Sequence, residues 1–196
     1  MRSLAVAIGL YLGLAAAPAR AEAPPADPDE DPKPRAIDPG VAAGPLLRYA
    51  VRPSPTPDLR ACSSRVPVCV HTSSPRDGAA AMATLDAFER AWQTLTGALA
   101  VPAPDVDPIT LAYDVFLAEP STELASTELE ARDVRSRVDR GRSFTTIDRR
   151  VRPGCALDAI AATQVARASL FRVAPATEEG TARAQSTYLA QLAFPC

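Results

Sequence analysis

Ile109-Thr-Leu-Ala-Tyr-Asp-Val-Phe-Leu-Ala118 is the stretch on which the fold class turns. In an extended chain Leu111, Tyr113, Val115 and Leu117 share one face, and Ala112, Asp114 and Phe116 share the other. Pro120 stops the run, so a strand is predicted over residues 109–118. Upstream, Val66-Pro-Val-Cys-Val-His-Thr72 is a short β-branched run ended by Ser73-Ser74-Pro75, and it reads as a second strand. Between the two, Met82, Leu85, Phe88, Ala91, Trp92, Leu95 and Leu99 follow the three-and-four spacing of one helix face. A helix is therefore predicted over residues 79–100, capped by Asp77, with Trp92 in its core stripe and Pro102 and Pro104 beyond its end.

Downstream, residues 121–140 are rich in Glu, Leu, Ala and Arg and read as a surface helix with a thin apolar face, broken by Gly141. Residues 143–149 alternate as a strand. Arg152-Pro153-Gly154 turns the chain into a helix over 155–173, and Pro175 separates it from a last helix over 177–194. There Thr177 is the expected cap, and Glu178 and Glu179 favour the positive helix end. This order predicts an α+β fold: a small mixed β-sheet with packed helices, ending in an antiparallel helical hairpin. Residues 58–196 suffice for a single domain.

The N-terminal part reads differently. Arg2, the apolar run 4–17 and the small-x-small triplet Ala19-Arg20-Ala21 mark residues 1–21 as a secretory signal. The run is shorter than the roughly 20 residues of a spanning helix. Export to the periplasm or the extracellular space is expected, with no membrane association after cleavage; an uncleaved anchor is the competing reading. Residues 22–57, with the acidic knot Asp27-Pro-Asp-Glu-Asp-Pro32, bury too little apolar surface to offset their ordering entropy and read as a disordered linker. Within it Leu46-Leu47-Arg48-Tyr49 has the character of a locally docked edge strand. The formal charge is −2, and the arginines of 132–152 alternate with Glu130, Asp133, Asp139 and Asp148. Nucleic acid is thereby excluded as a partner.

Four cysteines in an exported chain imply two disulfides, for which three connectivities exist. Cys62 and Cys69 close a short loop at the first strand. Cys155 opens one helix and Cys196 follows the next, so an antiparallel hairpin makes them neighbours. The expected pairs are Cys62–Cys69 and Cys155–Cys196. The spacings lack a CxxC element, which argues against a thiolate metal site.

Catalytic patterns are sparse. The single histidine, His71, has no second histidine to build a site with, and as a lone strand residue it reads as a packed or surface side chain. No Gly-x-Ser-x-Gly and no glycine-rich phosphate loop occurs. Glu178 and Glu179 point to different faces of a helix, which does not suit paired-carboxylate chemistry.

The element order and the last two helices carry a resemblance. Ala159-Ile-Ala-Ala-Thr-Gln-Val-Ala-Arg-Ala168 followed by Thr177-Glu-Glu-Gly-Thr-Ala-Arg183 resembles the core of gluzincin-like (peptidase MA-like) metallopeptidases, over residues 66–192. In that family His-Glu-x-x-His on the first helix and a Glu on the second hold zinc and activate its water. Here Thr163, Gln164 and Arg167 stand at the first motif, and Glu179 matches the third ligand. The resemblance thus implies a core without its zinc ligands: no catalytic residue, no metal and no cofactor. Arg167 and Glu179 have the placement for an ion pair filling the metal position; alternatively Arg167 points to solvent and Glu179 caps its own helix. The expected role is an exported, inactive peptidase-like binding or structural module, whose partner is a peptide or protein the sequence does not identify. A truncated relic of a longer secreted peptidase-like protein, and an enzyme of another class, are the alternatives.

Overall fold

A computed structural model describes residues 49–53, 59–119, 122–133 and 140–195, all within a compact unit spanning Ala43–Cys196. Five strands form one mixed sheet: β1 (Leu59–Cys62), β2 (Val68–Thr72), β3 (Tyr113–Ala118), β4 (Ala125–Asp133) and β5 (Arg140–Asp148), in the spatial order β1-β2-β3-β5-β4. β2, β3 and β5 run parallel, and the outer strands β1 and β4 pair antiparallel to their neighbours. Three helices, α1 (Gly78–Trp92), α2 (Cys155–Val173) and α3 (Glu179–Ala193), complete the domain. The expected α+β class, mixed sheet and terminal helical hairpin are all present, with α2 and α3 packed together.

The central strand β3 is buried on both faces. Tyr113, Val115 and Leu117 join Val68, Val70, Phe88, Trp92 and Val165 in the core beneath the helices, while Asp114 and Phe116 are buried on the opposite face. The strand starts at Tyr113 and not at Ile109. Asp107 accepts hydrogen bonds from the Ile109 and Thr110 amides, and Leu111 takes a φ of 55°. This local side-chain turn competes with extension and leaves Ile109 and Leu111 exposed.

α1 buries Ala81, Leu85, Phe88, Ala91 and Trp92. Its last turn widens to π-helical geometry over Gln93–Ala98, which keeps Leu95 buried. Met82 and Leu99, expected on the inner stripe, are exposed. Asp77 precedes the helix but makes no side-chain cap; its carboxylate accepts from the Thr72 hydroxyl at 3.5 Å instead.

The helix expected over residues 121–140 is not present over the described part, where Ala125–Asp133 is a strand. β4 pairs with β5 from Ala125↔Ile147 to Asp133↔Arg140, with a register shift between Leu129 and Ala131, and residues 134–139 lie outside the described ones. Helix propensity differs between ordinary residues by only a few tenths of a kcal/mol. A strand that completes a ladder and buries Thr127 and Leu129 outweighs it. Gly141, expected as a helix breaker, lies within β5. A Cβ there would stand 2.6 Å from Leu129 Cδ1 and 2.7 Å from the Phe171 carbonyl oxygen, so only glycine fits this crossing.

Gly154, with φ of 126°, makes the turn into α2, whose small side chains Ala161, Ala162, Ala166 and Ala168 are buried and bring its axis close to its neighbours. The cap of α3 is Glu178, not Thr177: its carboxylate accepts from the Gly180 and Thr181 amides, and Thr177 donates to the Ala174 carbonyl. Cys62 and Cys69 are register partners on β1 and β2 and form the expected disulfide. The expected Cys155–Cys196 bond ends on Cys196, outside the described residues. Among the described residues no helix is long and apolar enough to cross a membrane.

Candidate functional site

β4 is one of the two outer strands of the sheet, and residues of α2 and α3 face it across a cavity. Between them lies a groove of about 910 Å³ whose lining includes Ala125–Glu128 from the strand, Thr163, Gln164 and Arg167 from α2, and Glu179 and Arg183 from α3. All four positions singled out by the resemblance therefore line one cavity. The helical i, i+4 relation brings Thr163 and Arg167 to one side of α2, and the short link to α3 carries Glu179 opposite Arg167.

Each of these side chains is already engaged. Thr163 donates to the Ala159 carbonyl at 2.8 Å, a local bond within its own helix. Gln164 Oε1 accepts from the Thr127 hydroxyl at 2.8 Å. The Arg167 Nη2 group forms a close ion pair with Glu179 Oε2, its guanidinium stacks over Phe171 at 5.5 Å, and Nε is buried without a partner. Arg183 reaches the other oxygen of Glu179 at 3.4 Å. The hydrogen bond from Arg167, against the opposing effect of burial and with the help of Arg183, holds the Glu179 carboxyl below the usual glutamate range. Of the two arrangements left open by the sequence, the ion pair is the one present.

These residues do not fit a zinc ion. A hydroxyl turned into its own helix, a carboxamide bonded to the sheet and a guanidinium offer no imidazole or thiolate, and the single carboxylate is held by a cation. No group of three or more His, Cys, Asp or Glu suited to a metal occurs among the described residues.

Behind Gln164 a file of buried hydroxyls runs into the core. Thr127 Oγ1 lies 2.7 Å from Thr145 Oγ1, which lies 2.7 Å from the Tyr113 hydroxyl. Burial pushes the Tyr113 phenol up to about 12, so it keeps its proton at neutral pH.

The opposite face of the sheet holds a second polar cluster. Arg52 contacts Asp107 at 2.9 Å, Asp114 at 2.6 Å and Glu130 at 2.7 Å, and Arg142 adds a 3.0 Å bond to Glu130. His71 Nε2 lies 2.9 Å from Asp114 Oδ1 and its ring stacks on Phe116, so this histidine is a packed one. The Ala50 amide donates to the Leu129 carbonyl at 2.7 Å. Arg52 and Ala50 belong to the stretch the sequence assigns to the linker, yet both are fastened to the sheet. Residues 46–48 lie outside the described ones. Burial opposes the Arg52 charge, but the bond and attraction from Glu130, with Asp114 and Asp107, raise its pKa above the ordinary arginine value.

Sequence reasoning did not find Thr127, Arg183 or the Arg52 cluster. Thr127 sat in a segment read as helix, and the only hint was its β-branched side chain in an otherwise charged stretch. Comparison with protein-family models, with curated proteins and with solved structures finds no match to this chain.

Proposed function

We propose that this chain is an exported, catalytically inactive domain of gluzincin-like form whose groove holds an extended peptide. The observation that carries the reading is the groove itself: an outer strand on one side, a helical pair on the other, and an Arg167–Glu179 ion pair at the position the resemblance gives to zinc. Ala125–Glu128 have no partner strand on the side away from β5 among the described residues. A peptide added there as a further strand gains main-chain hydrogen bonds along β4, and its alternate side chains enter the groove.

The absence of hydrolysis follows from the side chains. Gln164 does not take a proton from water at neutral pH, and neither Thr163 nor Arg167 polarises a carbonyl as a metal does. The ion pair has a structural role instead, tying α2 to the start of α3. Export agrees with the Cys62–Cys69 disulfide, since such bonds persist in oxidising compartments.

The test combines binding and activity. Purified mature protein is titrated, by fluorescence anisotropy, into a panel of acetylated and amidated fluorescein-labelled octapeptides of alternating apolar and hydroxyl residues. The same samples are assayed for metal content and for cleavage of the peptides. Saturable binding without cleavage supports the proposal. Stoichiometric zinc accompanied by cleavage, or no binding to any member of the panel, overturns it.

A further inference from the structure

Gln164 presents Oε1 to the Thr127 hydroxyl at 2.8 Å, and that hydroxyl also lies 3.4 Å from the Gln164 backbone carbonyl. Thr127 Oγ1 lies 2.7 Å from Thr145 Oγ1, which lies 2.7 Å from the Tyr113 hydroxyl. With Thr127 donating to Gln164, Thr145 to Thr127 and Tyr113 to Thr145, every hydroxyl hydrogen of this buried file is used. The file thus holds the carboxamide oxygen against the sheet in a residue that lines the groove.

We infer that Gln164 is the carbonyl-reading residue of the groove: its carboxamide is locked with the two Nε2 hydrogens free for the occupant, which must present a backbone carbonyl to them. The inference rests on the peptide-binding reading of the groove and adds what that reading lacks, a polar group of fixed direction. Gln164 has no partner for Nε2 among the described residues, whereas the neighbouring Arg167 and Thr163 are committed. Through Thr127 the same file ties the carboxamide to β4, the strand along which the peptide would lie. Donor and main-chain register are thereby held together.

The test is Gln164→Glu, which keeps an acceptor for Thr127 but has no hydrogen for the ligand. It is titrated with the tightest octapeptide of the panel and with analogues of that peptide, each with one backbone carbonyl reduced to methylene. Thermal melts of both proteins establish that the variant is folded. The expected result is an affinity loss of about tenfold or more for the parent peptide. One analogue should bind both proteins alike. In parallel, the Gln164 side-chain NH2 signals of the wild-type protein, followed by NMR, should shift when the peptide saturates. Peptide binding that is equal in wild type and variant, or Gln164 NH2 signals that stay put at saturation, overturns the role of Gln164 and leaves the groove standing. Failure of the wild-type protein to bind any octapeptide removes the peptide reading, and this inference with it.

Discussion

Arg167 and Glu179 face each other across the helical hairpin, the guanidinium largely buried over Phe171 and the carboxylate more than half exposed. The asymmetry decides what the pair does. Glu179 neutralises a cation that already lies in the groove wall, while its own exposure leaves the attraction partly screened.

Glu179→Gln should therefore cost about 0.5–1 kcal/mol in urea unfolding, more than an exposed helix pair but less than a buried one. The pH dependence has a defined sign. The folded-state pKa of Glu179 lies below its ordinary value, so its contribution is present in full above that ordinary value and fades as pH falls through the folded one. The gap between wild type and variant should be constant near neutrality and close in acid. A gap that widens on acidification would contradict the pair.

Replacing Arg52 by Met strips the cation from Asp107, Asp114 and Glu130. Of these, Asp107 and Asp114 are buried, and a loss of about 3 kcal/mol is expected at neutral pH. The deficit should shrink in acid. Asp107, held below its ordinary value despite burial by the amides of Thr110 and Ile109 and by Arg52, contributes stability that wild type loses as pH falls. Arg52→Lys should recover only part, because an ammonium lacks the fork that reaches three carboxylates. Denaturant midpoints across pH check both.

Gly141→Ala should destabilise by about 1–3 kcal/mol through overpacking alone, since the new methyl meets Leu129, the Phe171 carbonyl and Pro175. Adding Leu129→Ala removes only the Leu129 part of the clash and leaves the Phe171 carbonyl and Pro175, so the double variant should not return to the level of Leu129→Ala by itself. Calorimetric melting of the three variants decides this.

Wild-type protein should take up no stoichiometric zinc. Thr163→His, Gln164→Glu and Arg167→His together, with Glu179 kept, rebuild three ligands and a base at groove-lining positions, and one zinc per chain is expected. Metal analysis after dialysis reads the result. An empty triple variant would sink the likeness to a zinc peptidase core.

Several features were legible because they are local. The alternation through Tyr113, Val115 and Leu117 marks a strand in any context, and the bounds of α2 follow from Pro153-Gly154 ahead of it and Pro175 behind. The pairing of Cys62 with Cys69 follows from their short separation. The facing of Arg167 and Glu179 was one of two arrangements the sequence left open, and the packing of α2 against α3 decided between them. By contrast, Glu128-Leu-Glu-Ala-Arg132 has the composition of a helix and becomes a strand, because β5 offers a ladder and α2 covers Leu129 and Thr127.

The amino-acid sequence by itself determined that this is an α+β chain with a helical hairpin and with no histidine in its last two helices, since periodicity and residue identity need no partner to be read. Tertiary structure alone decided that β4 is a strand, that Arg52 is fastened to three carboxylates, and that Thr127 aligns Gln164. Those outcomes depend on groups far apart in the chain, whose burial and hydrogen bonding are settled only when the sheet closes around them.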